Sequence, residues 1–343
     1  MSGREPHVHR VPRFELECGA VLRDVVQAYR LDGALNEARD NLVIVFHSLT
    51  GSADSVGGWW GTLVGPGETV DPGRHAVLCA NLLGSCYGTT GPAQADPFPP
   101  ITSRDQARLV QHLVDALGVR SVALAAGGSL GGMVAMEWAA ENPSLARAVV
   151  VFAAPAAHTA HAIAWNHVQR AAVEAAGERG LEIARMVGMM TYRTAAEQAA
   201  RFGRTAEADG RWSVAAYLEH QGRKLRDRFS VESYVALTKA MDAHDVGRNR
   251  GGVAAALGRI EGRLIGVGIP GDLLYAPDDV RAWVDAAGAE YREILSPHGH
   301  DAFLLDTDQV GEILADALES PEPARPFGTR HVALGTSVAG GGA

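Results

Sequence analysis

The stretch GGSLGGMVAMEW, Gly127 to Trp138, sets one serine among four glycines, between an apolar run and a helical pattern. Gly127, Ser129 and Gly131 satisfy G-x-S-x-G, a strand-to-helix turn so tight that small flanking residues are needed and the serine oxygen stands exposed. In a chain with 40 glycines the pattern alone carries little. Its surroundings carry more: RSVALAAGG (120–128) reads as a short buried strand, and the helical pattern from Gly131 stops at Asn142, ahead of Pro143. The stretch therefore reads as a turn that presents Ser129 at the end of a strand.

Working outward, NLVIVFHSLTG (41–51), HAVLCANLLG (75–84) and ARAVVVFAAP (146–155) are continuous apolar runs that suit strands buried on both faces. Between them, SRDQARLVQHLVDALGV (103–119) places Ala107, Val110, Val114 and Leu117 at helical steps and closes at Gly118. This alternation predicts an α/β fold with a mostly parallel sheet flanked by helices. Upstream, residues 14–33 alternate like two antiparallel strands joined at CGA. From 156 to 255 the strand patterns give way to several separate helical ones. Strand patterns return at 262–272 and 290–301 around a helix, and a closing helix covers about 308–319. The expected organisation is a core over 1–155 and 256–320, a helical lid insertion over 156–255, and a flexible tail over 321–343.

The 343 residues carry a net charge of −9, which offers no basic field for nucleic acid. Cys18, Cys79 and Cys86 form neither a disulfide framework nor a zinc pattern, so a reducing compartment is expected. No apolar leader stretch and no membrane-length apolar run is visible, and the expected location is the cytoplasm, away from membranes. HGHD (298–301) has metal-ligand types but lacks a third partner at useful spacing, so no metal is expected.

A serine nucleophile needs a base, and the base an orienting carboxylate, here following in the order acid then histidine. Asp272 stands at the end of LIGVGIPGD and His300 after the last strand pattern, so Ser129, Asp272 and His300 are the expected triad. His298 is the rival base. The oxyanion formed on attack needs two backbone donors: Leu130 follows the nucleophile, and Leu49, in HSLTG (47–51), is the expected second, with Thr50 as rival.

HSLTG, GGWWGTLVGPG (57–67), NLLGSCYGTTGP (81–92), ITSRDQARL (101–109), GGSLGGMVAMEWA, ARMVGMMTYRT (184–194), YLEHQGRKL (217–225), HDVGRNRGG (244–252) and GHDAFL (299–304) together resemble the homoserine O-acetyltransferase family of the α/β-hydrolase fold. The similarity runs from Phe14 to Leu318. The resemblance implies acetyl transfer from acetyl-CoA, as co-substrate and not bound cofactor, to the hydroxyl of L-homoserine in methionine biosynthesis. It implies a Ser129 acyl-enzyme with ping-pong kinetics and a homodimer through the helical lid. It assigns Arg193 and Asp301 to the substrate, for the carboxylate and the ammonium of the amino acid.

The chain departs from the family pattern in a short 168–186 segment, in Ser48, and in Leu130. These positions bear on which acyl group and which acceptor are used. The alternatives are a homoserine or serine O-succinyltransferase, a serine O-acetyltransferase, and an ester or thioester hydrolase. Met186, Met189 and Met190 read as lid packing or dimer contact, and Trp59 and Trp60 either as pocket lining or as packing beneath a loop.

Overall fold

The computed structural model describes residues 5–95 and 97–319; the tail expected over 321–343 lies outside the described residues. In chain order the elements are β1 (His7–Glu15), β2 (Val21–Asp32), β3 (Leu42–Phe46), β4 (Ala76–Ala80), α1 (Ser103–Ala116), β5 (Val122–Gly128), α2 (Leu130–Glu141) and β6 (Ala148–Phe152). A helical block follows, with α3 (Ala160–Tyr192), α4 (Ala195–Phe202), α5 (Ser213–Arg226), α6 (Val231–Asp242) and α7 (Val253–Leu257). The chain then returns through β7 (Arg263–Gly268), α8 (Pro277–Ala287), β8 (Glu290–Glu293), α9 (Ala302–Leu305) and α10 (Thr307–Glu319).

All eight strands form one sheet in the order β1-β2-β4-β3-β5-β6-β7-β8. The β1/β2 and β2/β4 pairs are antiparallel and the other five pairs are parallel. Every residue of β3, β4, β5 and β6 is buried, as their unbroken apolar runs require between two helical layers. On one face Trp138 of α2 and Val110 and Leu113 of α1 pack against Ile44, Leu78 and Ala125. On the other, Val310 and Leu314 of α10 pack with Trp60 against Val150 and Val267. α1 begins where the sequence signals it: Thr102 Oγ1 accepts from Asp105 N, and Asp105 Oδ2 accepts from Thr102 N, a reciprocal cap.

Two local readings differ. The amino-terminal hairpin starts upstream, at His7 instead of residue 14, and its turn lies at residues 16–20. Ladder pairing on β2 decides its extent, and the exposed residues of β1 carry no alternation strong enough to reveal it. The two helical patterns on either side of Gly177 are both present, as two helical stretches within α3 separated by a kink where Gly177 takes φ 54° and ψ −125°. The strand expected over 290–301 ends at Glu293, and the rest is the loop that carries His300.

Parallel strands put their carboxyl ends on one side of the sheet. The segments after β3, β5, β7 and β8 therefore converge there, which is the usual location for a site in an open α/β sheet.

Candidate active site

Ser129 joins β5 to α2 with φ 56° and ψ −126°, a conformation that costs an L-residue on the order of 1–3 kcal/mol. The surrounding packing holds it. Ser129 N donates to Phe152 O of β6 at 3.0 Å. A Cβ at Gly131 would lie 2.1 Å from Phe46 O, so α2 can only start this close to β3 on a glycine. A Cβ at Gly128 would strike the Phe303 ring at 2.5 Å, so that glycine lets the aromatic beside His300 close over the turn.

Asp272 and His300 meet as a buried pair, with His300 Nδ1 2.7 Å from Asp272 Oδ2. Asp272 lies beyond the end of β7, in a loop, and its second oxygen accepts the amides of Leu274 at 2.8 Å and Tyr275 at 3.0 Å. Those two donors fix the carboxylate, which in turn holds the imidazole with Nε2 turned away from it. Burial disfavours the His300 imidazolium, but the charge and hydrogen bond of Asp272, with Asp301 beyond, outweigh it and leave the pKa above its ordinary value. Ser129 and His300 line one cavity of about 100 Å³. No hydrogen bond links Ser129 Oγ to His300 in this resting geometry, a contact that commonly tightens only when substrate is present. His298, the rival base, faces Glu197 at 3.5 Å and does not line the cavity.

Leu49 and Thr50 line the same cavity. The Ser48 carbonyl is held by His47 Nδ1 at 2.8 Å and by Gly51 N at 2.9 Å. In a trans peptide the N–H opposes the C=O, so the Leu49 amide points away from these anchors. Among the described residues neither the Leu49 nor the Leu130 amide donates to an acceptor. His47 is wholly buried, and burial pushes its pKa down to about 4 against the pull of the Ser48 carbonyl. Leu82 N donates to its Nε2 at 3.1 Å, so the proton sits on Nδ1 and is given to Ser48.

Arg193 and Asp301 are adjacent, yet only Asp301 lines the cavity. The Arg193 guanidinium is engaged by Asp301 at 3.1 Å and by Glu197 at 2.9 Å. Arg185, two turns earlier on α3, does line the cavity, lies over the Tyr192 ring 5.6 Å from its centroid, and has no carboxylate at ion-pairing distance among the described residues. Burial raises Asp301 above the ordinary carboxylate range while Arg193, His300 and Arg185 pull it down. Sequence reasoning passed over Arg185 and Tyr192. The signal was their seven-residue spacing, which puts both on the α3 face that carries the cavity wall.

Trp60 lies behind the site: its indole donates to Phe303 O at 3.0 Å, and Trp59 stacks on it. Of the three methionines only Met189 is fully buried. A roomier groove of about 620 Å³ lies elsewhere, between Arg108, His112 and Arg250, but no serine, threonine or cysteine lines it. Size alone does not identify the site.

A family model described as the alpha/beta hydrolase fold matches residues 41–204. A homoserine O-acetyltransferase from Thermus thermophilus is 45% identical, covering 88% of each chain, and one from Moorella thermoacetica is 40% identical over 90% of this chain and 94% of its own. The crystal structure of the homoserine O-acetyltransferase from Staphylococcus aureus superposes with a TM-score of 0.83 at 29% identity, covering 94% of this chain and 97% of that one. Identity at this level over nearly the whole length, on the fold and the serine turn described above, places the chain in the homoserine O-acetyltransferase family.

Proposed function

We propose that the protein transfers the acetyl group of acetyl-CoA to the side-chain hydroxyl of L-homoserine through an acyl-enzyme on Ser129, as a step of methionine biosynthesis. One observation carries the mechanism: a single cavity brings together Ser129, the Asp272-held His300, and two groups of opposite charge, Arg185 and Asp301. The first two supply nucleophile and base. The charged pair matches the carboxylate and ammonium of an amino acid.

In the first half-reaction His300 Nε2 takes the Ser129 proton as Oγ bonds to the thioester carbon. The resulting oxyanion rests on the Leu49 and Leu130 amides, and the C–S bond breaks as the thiolate takes the proton from His300. In the second, His300 takes the homoserine hydroxyl proton. The new O–C bond forms, the Ser129 ester breaks, and the proton returns to Ser129. Arg185 holds the acceptor's carboxylate and Asp301 its ammonium, while Arg193 keeps Asp301 in place. The cavity of about 100 Å³ favours a two-carbon acyl group over succinyl.

Residues 156–255 act as a lid over the site. Ile163, Val168, Ile183 and Met190 on α3 are 36–50% exposed, and the proposal includes their burial in a homodimer. The proposed location is the cytoplasm; among the described residues no helix is long and apolar enough to cross a membrane.

Intact-protein mass after brief mixing with acetyl-CoA, with and without homoserine, tests the reading. One added acetyl on wild type, none on Ser129→Ala, and discharge only when homoserine is present are expected. Discharge at the same rate without homoserine makes the protein a hydrolase. Faster acylation by succinyl-CoA replaces the donor.

A further inference from the structure

Tyr275 and His158 are not part of the cavity, yet they join its acid loop to the base of the helical block. Tyr275 follows Asp272 by three residues and is wholly buried. Its amide is one of the two that hold Asp272 Oδ1, at 3.0 Å. Its ring meets the His300 imidazole edge-on with centroids 5.3 Å apart. One residue thus meets both members of the acid–base pair, Asp272 through its backbone amide and His300 through its ring.

The Tyr275 hydroxyl lies 2.9 Å from His158 Nε2, a residue between β6 and α3 whose side chain is 1% exposed. The other imidazole nitrogen, Nδ1, faces Asp242 Oδ1 of α6 at 3.3 Å. Asp242 is itself held from α3, by Asn166 Nδ2 at 2.8 Å and Arg170 Nη2 at 2.5 Å. A carboxylate opposite Nδ1 favours the tautomer with its proton there, leaving Nε2 to accept from the Tyr275 hydroxyl. Burial holds the Tyr275 phenol well above its ordinary pKa, so it stays a donor. The Tyr275–His158 bond then runs from the phenol to the imidazole, whose other nitrogen stands at ion-pair distance from Asp242.

We infer that His158 and Tyr275 are positioning residues for the Asp272–His300 pair, through which the helical block sets where the base stands. They act on the transition state through His300 and touch no substrate. The inference rests on the reading of Asp272 and His300 as acid and base. Loss of the Tyr275 hydroxyl frees the ring to shift against His300 and leaves His158 Nε2 buried without a donor. Small misplacements of a catalytic group cost rate, here on the order of 10-fold.

The test uses full-length enzyme with Tyr275→Phe, His158→Leu and His158→Gln, following acetylation of Ser129 in a single turnover alongside kcat and both KM values. Tyr275→Phe and His158→Leu are expected to slow acylation about 10-fold with both KM values within about 2-fold of wild type. His158→Gln, whose amide oxygen can accept from the phenol, should recover most of the rate. The double variant Tyr275→Phe with His158→Leu should be no slower than the slower single one, because both remove one interaction. Wild-type acylation in Tyr275→Phe, or additive losses in the double variant, overturns the inference. If His158→Leu does not fold, Tyr275→Phe and His158→Gln decide it. His300→Ala run in parallel separates the two readings: if it keeps its rate, the base assignment fails; if it is dead while Tyr275→Phe is unaffected, only the positioning role fails.

Discussion

Arg193 Nε lies 3.1 Å from Asp301 Oδ2 while Nη1 donates to Glu197 Oε1 at 2.9 Å, so the guanidinium is spent on two carboxylates of its own chain. Arg185, not Arg193, presents a cation to the cavity beside Ser129. A charged hydrogen bond is worth about 1.5–3 kcal/mol, so Arg185→Ala should lower kcat/KM for homoserine by about 10- to 100-fold. Acylation by acetyl-CoA alone should change little, because the carboxylate is absent from that half-reaction. Arg193→Ala should act differently, lowering activity through a displaced Asp301. Steady-state kinetics with each substrate varied would show the split; an unchanged homoserine KM in Arg185→Ala defeats the assignment.

His300 must be neutral to take a proton, and its pKa lies above the ordinary 6.5 because Asp272 and Asp301 outweigh its burial. The acid limb of kcat/KM should therefore bend above pH 6.5, with activity falling as pH drops through that point. Asp272→Asn removes the charge beside Nδ1, so the limb should move to lower pH while kcat falls by as much as about 10⁴-fold, through loss of the tautomer. A limb that stays in place in Asp272→Asn would show that another group titrates.

Gly131→Ala tests the serine turn without touching its chemistry. The added carbon would sit 2.1 Å from Phe46 O, which belongs to the strand backbone and cannot swing aside. Either α2 moves off β3 or β3 bends, at a cost of about 1–3 kcal/mol or more. The expected result is a lower urea midpoint and loss of acylation together, since the Leu130 amide travels with the helix. Wild-type stability in this variant would contradict the packing described here.

The sequence made the buried centre of the fold legible, because β3, β4, β5 and β6 are short runs apolar on both faces, β3 and β6 rich in β-branched residues, β5 and β6 set between helical patterns. The serine turn was legible for a related reason: Gly127, Gly128, Gly131 and Gly132 each face atoms of other elements too closely for a side chain. Asp272 and His300 could be named from chain order and are brought together as expected. That Arg185 and not Arg193 lines the cavity was not legible. Both stand near the end of α3, and only the placement of Asp301 and Glu197 decides which guanidinium stays free. Tyr275 was invisible as well, since nothing local marks a tyrosine that is tied to His158, more than 100 residues away. Trp59 and Trp60 resolve to packing beneath a loop: neither lines the cavity, and their indoles donate to Ser52 O and Phe303 O respectively.

The acid side of the stability curve should owe most to two fully buried histidines outside the chemistry. His47 and His244 are both buried, and burial pushes their pKa values down to about 4 for His47 and about 3 for His244, the latter despite Glu137 Oε1 lying 3.8 Å from its Nδ1. In the unfolded chain each takes a proton near pH 6.5, so below that value the unfolded state binds more protons and stability falls as pH drops. Between pH 8 and pH 5 each histidine should cost on the order of 2 kcal/mol. His300 works the other way: its raised pKa adds stability at low pH that is lost as pH rises through its folded value. With His9 and His75 also lowered by burial, four lowered histidines stand against the one raised at His300, a net loss toward acid. Urea unfolding at pH 8 and pH 5 should show a lower midpoint at pH 5. His47→Gln, which can still donate toward Ser48 but takes no proton, should flatten that slope. An equal slope in His47→Gln would mean that His47 is protonated in the fold, and the fixed tautomer that orients the Leu49 amide would fall with it.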